Sequence, residues 1–361
     1  TGVKDRANTR GAPVASTDTI QIVEPDGEII WELSSGQFPD TLFHHDVEYL
    51  DNGHLLVTTY RRLDAEAALA RGWDPEGRGE VWADGVLEIR PDLASGEATV
   101  VWAWSFADHL IQDRFPEKPN FGVIADHPDR IDPHYPDSYA PMNVVRQHVN
   151  SVDYHEALDQ ILLSSFIYNE IWIIDRSGRI VFRWGNPAAY QRGSPEDRVL
   201  LRQHDANWID AGLRGAGNIL IHNNNVQFRP RPPSDREPDN GQPRTFMDNL
   251  EVDAGVSGVY ELRVAPAPDG SYGDRPGSPF AAEVVWRWEH ESYFADFQGS
   301  ARRLSNGNTL MTDTTDHLAV EVTRDGVIVA EYQGCAPAYK TYKYDRDFVA
   351  RVINADHEEP R

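Results

Sequence analysis

Cysteine is almost absent from this chain: 361 residues carry a single one, Cys335. One thiol excludes an internal disulfide and any cysteine-rich metal cluster, and it leaves the redox compartment unread. Basic residues are scarce as well. Lys and Arg total 34 against 58 Asp and Glu, a formal charge of -24, with no Lys/Arg-rich stretch. Nucleic acid and anionic membrane surfaces select basic patches, so neither is an expected partner, whereas a small molecule is. No run of 18 apolar residues occurs, so no membrane insertion is expected. A chain that opens on Thr1 rather than Met fits a processed, exported protein. Helical periodicity is missing too, except at 61–72, "RRLDAEAALARG", which reads as one surface helix.

Hydrophobic residues make up 40% and aromatics 10% of the chain, enough to bury a sizeable core in a single domain spanning 1–361. Within it one grammar recurs: alternating apolar and polar residues, a tight turn, a second short strand, then a further hairpin ending in tryptophan. First hairpins are read at 44–60, 147–166, 203–225 and 298–313. Second hairpins start at Ile20, Val86, Glu170, Gly258 and Leu318. Four antiparallel strands per unit, repeated, predict an all-β fold of the β-propeller type, in which radial repetition hides the sheet edges. A blade of roughly 40 to 60 residues makes six blades the natural count for this length. The rival is a two-sheet β-sandwich, which also yields many short strands. Trp31, Trp102, Trp184 and Trp286 recur on equivalent outer strands, as blade packing demands. The Pro- and Asp-rich stretch at about 106–146 is a long insertion, and loops of that length commonly cover a site.

Aligning the first hairpins on Val47, Val152, Ala206 and Ala301 puts His45, Asn150, His204 and Gly299 at one equivalent place, two residues earlier. His148 lies two residues before Asn150, on the same face if the strand is regular. The first strand of each propeller blade lines the axis, so these groups are expected to converge on an axial pocket. His44 is the nearest extra imidazole, His222 ends the second strand of the third unit, and Asn223, Asn224 and Asn225 follow it. A lone histidine at a strand start is usually structural; three at comparable places in different repeats point to function.

The blocks "HVNSVDYHEALDQILLSSFIYNEIWIIDR", "FRWGNPAAY", "QHDANWI", "GAGNILIHNNN" and "GSARRLSNGNTLMTD" followed by "EVTRDGVIVAEY" resemble the arylsulfotransferase (aryl-sulfate sulfotransferase) family of bacterial β-propellers, from about His44 to Tyr332. The resemblance implies a six-bladed propeller, commonly periplasmic or secreted, that moves a sulfuryl group from one phenol to another through a sulfated histidine and needs no cofactor. The family's channel histidines fall on His148 and His204, and the arginine after its Asn-Gly segment falls on Arg229. Three departures stand out. Phe166 replaces the arginine of the family's Ser-Ser-Arg, the family's Phe-Asp/Asn-Asn-Gly becomes Ile221 to Asn225, which adds the His222 imidazole and loses a glycine, and Gly299-Ser300-Ala301-Arg302 carries no histidine where the family's nucleophile is expected. His317 is the nearest one.

Sulfuryl transfer requires an imidazole nucleophile and fixed positive charge around the sulfonyl oxygens. His148, His204 and His45 are the candidate catalytic groups, with Arg302 as the fixed cation; His44, Asn150, His222, Asn224, Arg229 and His317 are candidates for binding substrate. The same imidazoles support a second reading, in which His45, His148, His204 and His222 hold a metal ion for an oxidase, lyase or hydrolase. A third is a propeller that binds a ligand without catalysis.

Overall fold

The computed structural model describes residues 2–3, 13, 16–135, 147–230, 250–334, 339–344 and 346–355. It is almost entirely strand. Every expected hairpin forms, and the hairpins assemble into blade-like sheets. Blade I holds Thr19–Val23 and Ile29–Ser34, edged by Gly2–Val3. Blade II runs through Thr41–Tyr49, Leu55–Asp64, Glu80–Pro91 and Ala98–Ser105, with Ser16–Thr17 beside its first strand. Blade III is Val149–His155, Gln160–Ser165, Glu170–Asp175 and Ile180–Trp184. Blade IV is His204–Trp208, Ile219–Asn223, Gly258–Arg263 and Glu283–Glu289, and blade V is Ser300–Arg303, Thr309–Asp313, Leu318–Val322 and Ile328–Gln333. All pairings within the blades are antiparallel. The fold is a β-propeller; five blades lie among the described residues, so the six expected from chain length are not reached there.

Two recurring contacts join neighbouring blades. On the outside, tryptophans of the last strands of blades I, II and IV donate their indole N–H to the turn of the next blade. Trp31 reaches the Glu97 carbonyl, Trp102 and Trp104 reach Arg176 and Gly178, and Trp286 and Trp288 reach Arg324 and Gly326. The tryptophans are therefore packing groups whose one polar atom is satisfied across the blade boundary. On the inside, the residue just before each aligned apolar position accepts a hydrogen bond from the next blade's aligned N–H. Asp46 accepts from Val152 at 3.0 Å, Ser151 from Ala206 at 3.1 Å and Asp205 from Ala301 at 3.2 Å. This places the first strands of blades II to V side by side in chain order.

Two local expectations change. The surface helix is confined to Ala65–Ala70, capped by the Asp64 carboxylate on the Ala67 N–H, because residues 61–64 extend the second strand of blade II instead. The insertion is described as far as residue 135, and 136–146 lie outside the described residues. Its described part is anchored beside blade III, with the Tyr168 hydroxyl donating to the Asp132 carbonyl and the Arg183 guanidinium to the Arg130 carbonyl. A two-stranded ribbon, Val226–Pro230 with Leu250–Ala254, interrupts blade IV.

Candidate functional site

Regular strands would send alternate side chains to opposite faces, but the inner strands are bulged. His45, His148 and Asp205 have φ of 45°, 51° and 50°, and the ladder slips between Phe43 and Val47 and between His204 and Asn207. A bulge with a left-handed residue re-aims the side chain, a costly backbone state common at functional sites. His148 sits just ahead of its strand for this reason, and does not share a face with Asn150 as strict alternation predicts.

The bulges gather imidazoles at the N-terminal ends of the inner strands. His44 and His45 approach Nδ1 to Nδ1 at 2.8 Å, and the His45 and His148 ring centroids lie 4.6 Å apart. The Phe166 ring stands between His148 and His204, at 5.1 and 5.4 Å. Burial holds His44, His45 and His148 well below the ordinary histidine value, and their neighbours' charges push the same way. His204 is pulled down to about 4 and His222 to about 3, again chiefly by burial. All five rings are therefore neutral at pH 7.

His44 is held rigidly. It lies flat on Tyr60, ring centroids 3.6 Å apart at an interplanar angle of 9°, and its Nε2 is 3.4 Å from Asp84 Oδ1. Asp84 is fully buried, accepts the backbone N–H groups of His148 and Val149, and is pushed up to about 8 by burial despite those bonds. Asp84 escaped the sequence analysis. The signal was present as a lone carboxylate inside the apolar strand segment Val81 to Val86, where only a specific partner justifies one.

His204 and His222 are differently placed. His204 Nδ1 contacts Asn224 Oδ1 at 2.7 Å, and His204 Nε2 accepts the Gln298 N–H at 3.3 Å, so both nitrogens are engaged. Asn224 also donates to the Ala295 and Gln298 carbonyls, which makes it a brace for His204. His222 Nε2 bonds the Tyr293 hydroxyl at 2.8 Å, and that hydroxyl donates to the Thr312 carbonyl. The His222 ring lies against Gly299, where an added Cβ would come within 2.6 Å of Cε1. An imidazole from blade IV thus fills space at the position where blade V lacks its own histidine. Asn150 donates to the Gln203 carbonyl at 2.7 Å, tying blade III to blade IV, while its buried Oδ1 has no partner among the described residues.

A cation stands beside Phe166, supplied from the bend just before the first strand of blade IV. Arg202, buried and at φ 60°, lays its guanidinium over the Phe166 ring at 5.0 Å and donates to the Phe166 carbonyl. It is close enough to His148 to disfavour that ring's protonation. Arg302 does not share this site. It lies past the aligned position, toward the C-terminal end of the strands, bound through both guanidinium nitrogens to Asp205 at 2.8 and 3.0 Å. Burial works against its charge, but Asp205 more than offsets this and its pKa is raised. Lys340, from the C-terminal segment, reaches between Asp46 and Asp205 at 2.7 and 3.0 Å. His317 is exposed on the turn after Asp313, apart from the cluster. The Arg229 side chain lies outside the described residues. No group of three His, Cys, Asp or Glu side chains among the described residues is arranged to hold a metal ion.

Beyond Arg302 the inner strands open into a cavity of about 380 Å³, lined by Glu48, Asp153, Asn207 and Arg302, one from each strand, and walled by Tyr342 and Tyr344. Burial, and then Asp153 and Asp46, push Glu48 up to about 8; burial raises Asp153 to about 6.

The sequence model of a family described as Arylsulfotransferase (ASST) matches residues 17–334. None of the curated proteins matches. Among solved structures, similarity is found to a protein of unknown function from Bacteroides caccae, at 9% identity over 90% of this chain and 80% of that one, TM-score 0.43. It is found also to the β-propeller domain of Cps50 (Swd1) from Myceliophteria thermophila, at 11% over 88% and 82%, TM-score 0.40. A third is virginiamycin B lyase from Staphylococcus aureus, at 10% over 81% of this chain and 55% of that one, TM-score 0.32.

Proposed function

The chain belongs to the arylsulfotransferase (ASST) family, whose match spans most of its length, and from that premise we propose that it transfers a sulfuryl group between phenols by way of His45. The observation that carries this choice is the contact series Asp84, His44, His45. With the Asp84 carboxylate beside it, His44 Nε2 keeps its proton, so His44 Nδ1 offers a lone pair to the Nδ1–H of His45. That leaves His45 Nε2 with the free lone pair, on the most exposed imidazole of this group.

His45 Nε2 attacks sulfur of an aryl sulfate, the S–O bond to the ring oxygen breaks, and the phenolate departs with the bonding pair. His148, neutral and next to His45, hydrogen-bonds through its N–H to that phenolate, which is released as the anion. The sulfated ring of His45 is cationic, which strengthens its hydrogen bond to His44 and through it the pull of Asp84. A second phenol then attacks sulfur and gives its proton to the lone pair of His148, which passes it to solvent, and the N–S bond breaks to return the lone pair to His45. Arg202 beside His148 supplies fixed positive charge for the sulfonyl oxygens. No cofactor enters these steps, and the export expected from the family resemblance belongs to the same proposal.

Incubation with a phenyl sulfate donor and no acceptor is expected to leave one sulfuryl group on His45, located by peptide mass spectrometry. His45→Ala is expected to lose both the label and at least about 10³-fold in transfer rate. A label on another residue, or a His45→Ala enzyme of near-normal rate, would overturn the assignment.

The pH profile separates the relay from an isolated histidine. The ionised form of Asp84 is the one that supports His45, so kcat/KM should rise with pH and level above about 8. Asp84→Asn should be slower and lose that rise. With the histidines already neutral, no limb near pH 6.5 is expected in either enzyme.

A further inference from the structure

The cavity at the C-terminal ends of the inner strands has no role in the sulfuryl-transfer steps, and its walls have a chemistry of their own. Glu48, Asp153 and Asn207 occupy the position just after the aligned apolar residue in blades II, III and IV, and all three line the cavity. Each presents an acceptor. Asn207 is 5% exposed, and its Nδ2 donates to the Asp205 and Ala301 carbonyls, both at 3.0 Å, which fixes the amide with Oδ1 unpartnered among the described residues. Asp153 Oδ2 accepts the Trp208 N–H at 2.6 Å, while Oδ1 has no partner among the described residues. Neither oxygen of Glu48 has a hydrogen-bond partner there.

The neighbouring cations are already engaged. Arg302 is taken by Asp205, Lys340 by Asp46 and Asp205, and Lys343 by Glu321 at 2.5 Å. Burial and the neighbouring carboxylates push Glu48 up to about 8, so a cation from outside is what lets it ionise beside Asp153 and the Asn207 amide oxygen. An aromatic wall stands beside them: Tyr342 stacks on Tyr344 with ring centroids 6.4 Å apart, Tyr344 stacks on Phe348 at 5.0 Å, and all three are exposed.

We propose that this cavity binds a primary ammonium carried by an aromatic ring. The ammonium has three N–H donors for three acceptors on three adjacent strands, and the ring lies on the Tyr342–Tyr344–Phe348 face. Arg302, the equivalent residue of blade V, closes the fourth side and excludes a second cation. The site is independent of the imidazole cluster at the other end of the strands.

Isothermal titration with 2-phenylethylamine, which has no phenol and so cannot serve as a sulfuryl acceptor, tests it against 2-phenylethanol. One amine is expected to bind per chain, with the alcohol at least about tenfold weaker, because charge-assisted bonds to Glu48 and Asp153 are lost. Glu48→Gln and Asp153→Asn should each weaken the amine about tenfold, and Tyr344→Ala, on an exposed ring that folding does not need, should weaken it severalfold. His45→Ala should leave binding unchanged. Equal affinity for amine and alcohol, full affinity in both carboxylate variants, or no heat at millimolar amine would each overturn the proposal. So would loss of binding in His45→Ala, which would move the amine to the imidazole cluster.

Discussion

Lys340→Met is expected to destabilise the protein by about 3–5 kcal/mol, the usual cost of leaving a buried carboxylate without its partner. The ammonium bridges Asp46 and Asp205, carboxylates on the inner strands of blades II and IV, at 2.7 and 3.0 Å. Burial opposes its charge, yet the two aspartates hold its pKa above the ordinary lysine value. Burial likewise opposes ionisation of Asp205, and Arg302 and then Lys340 keep it below the usual carboxylate range. Without Lys340, Asp205 retains Arg302 at 2.8 Å, but among the described residues Asp46 retains only N–H donors from Val47 and Val152. The damage should therefore fall on Asp46. A second substitution, Asp46→Asn, removes the stranded charge while keeping an acceptor for Val152, so the double variant should be more stable than Lys340→Met alone. Urea denaturation of the four proteins of this cycle measures both effects. A Lys340→Met protein within about 0.5 kcal/mol of the parent would mean that the bridge does not form in solution.

The family match ends at residue 334, and Lys340 lies beyond it. The link from the C-terminal segment to the axis is thus a feature of this chain outside the span shared with the family. Nothing local in "APAYKTYKYD" announces it: a lysine among tyrosines reads as surface, and its partners lie 294 and 135 residues away in sequence, which only the packing of the blades brings near.

Elsewhere the pattern was legible to the extent that local rules decide it. The hairpins were read at their observed places because tight turns such as Asn52-Gly53, Ser177-Gly178 and Asn306-Gly307 flank period-two strands, and nothing tertiary needs to override them. The repeat alignment pointed to His45 and His204, with His148 two residues before Asn150, and the structure places His45 beside His148 and Phe166 between His148 and His204. Which face each side chain takes was not legible, because left-handed residues at His45, His148 and Asp205 break the alternation from which faces are counted. The same break hid the row Glu48, Asp153, Asn207, of which only the blade V equivalent, Arg302, was singled out, and then for the wrong end of the strands. Arg202 was missed because its relation to Phe166 is one of space: the two are 36 residues apart and meet only when blades III and IV pack.

Gly299 stands where blades II and IV carry His45 and His204, and it gives the sharpest packing prediction. Gly299→Ala is expected to cost about 3 kcal/mol or more, from two separable causes. One is conformational, since φ is 97° and a Cβ there costs roughly 1–2 kcal/mol. The other is overlap with the His222 ring, 2.6 Å from the new carbon, which adds about 1–3 kcal/mol. The ring cannot retreat freely, because its Nε2 is held by Tyr293, whose hydroxyl is in turn held by the Thr312 carbonyl. In a His222→Ala background the overlap disappears and only the conformational cost remains. Gly299→Ala should then be milder by about 1–3 kcal/mol, a coupling that thermal or urea denaturation of the four proteins resolves. Equal costs in both backgrounds would show that His222 does not rest on Gly299, and the imidazole would lose its claim to the space that a blade V histidine leaves open. Strong coupling would instead explain the two departures as one event: with His222 in place, glycine is the residue that fits at 299.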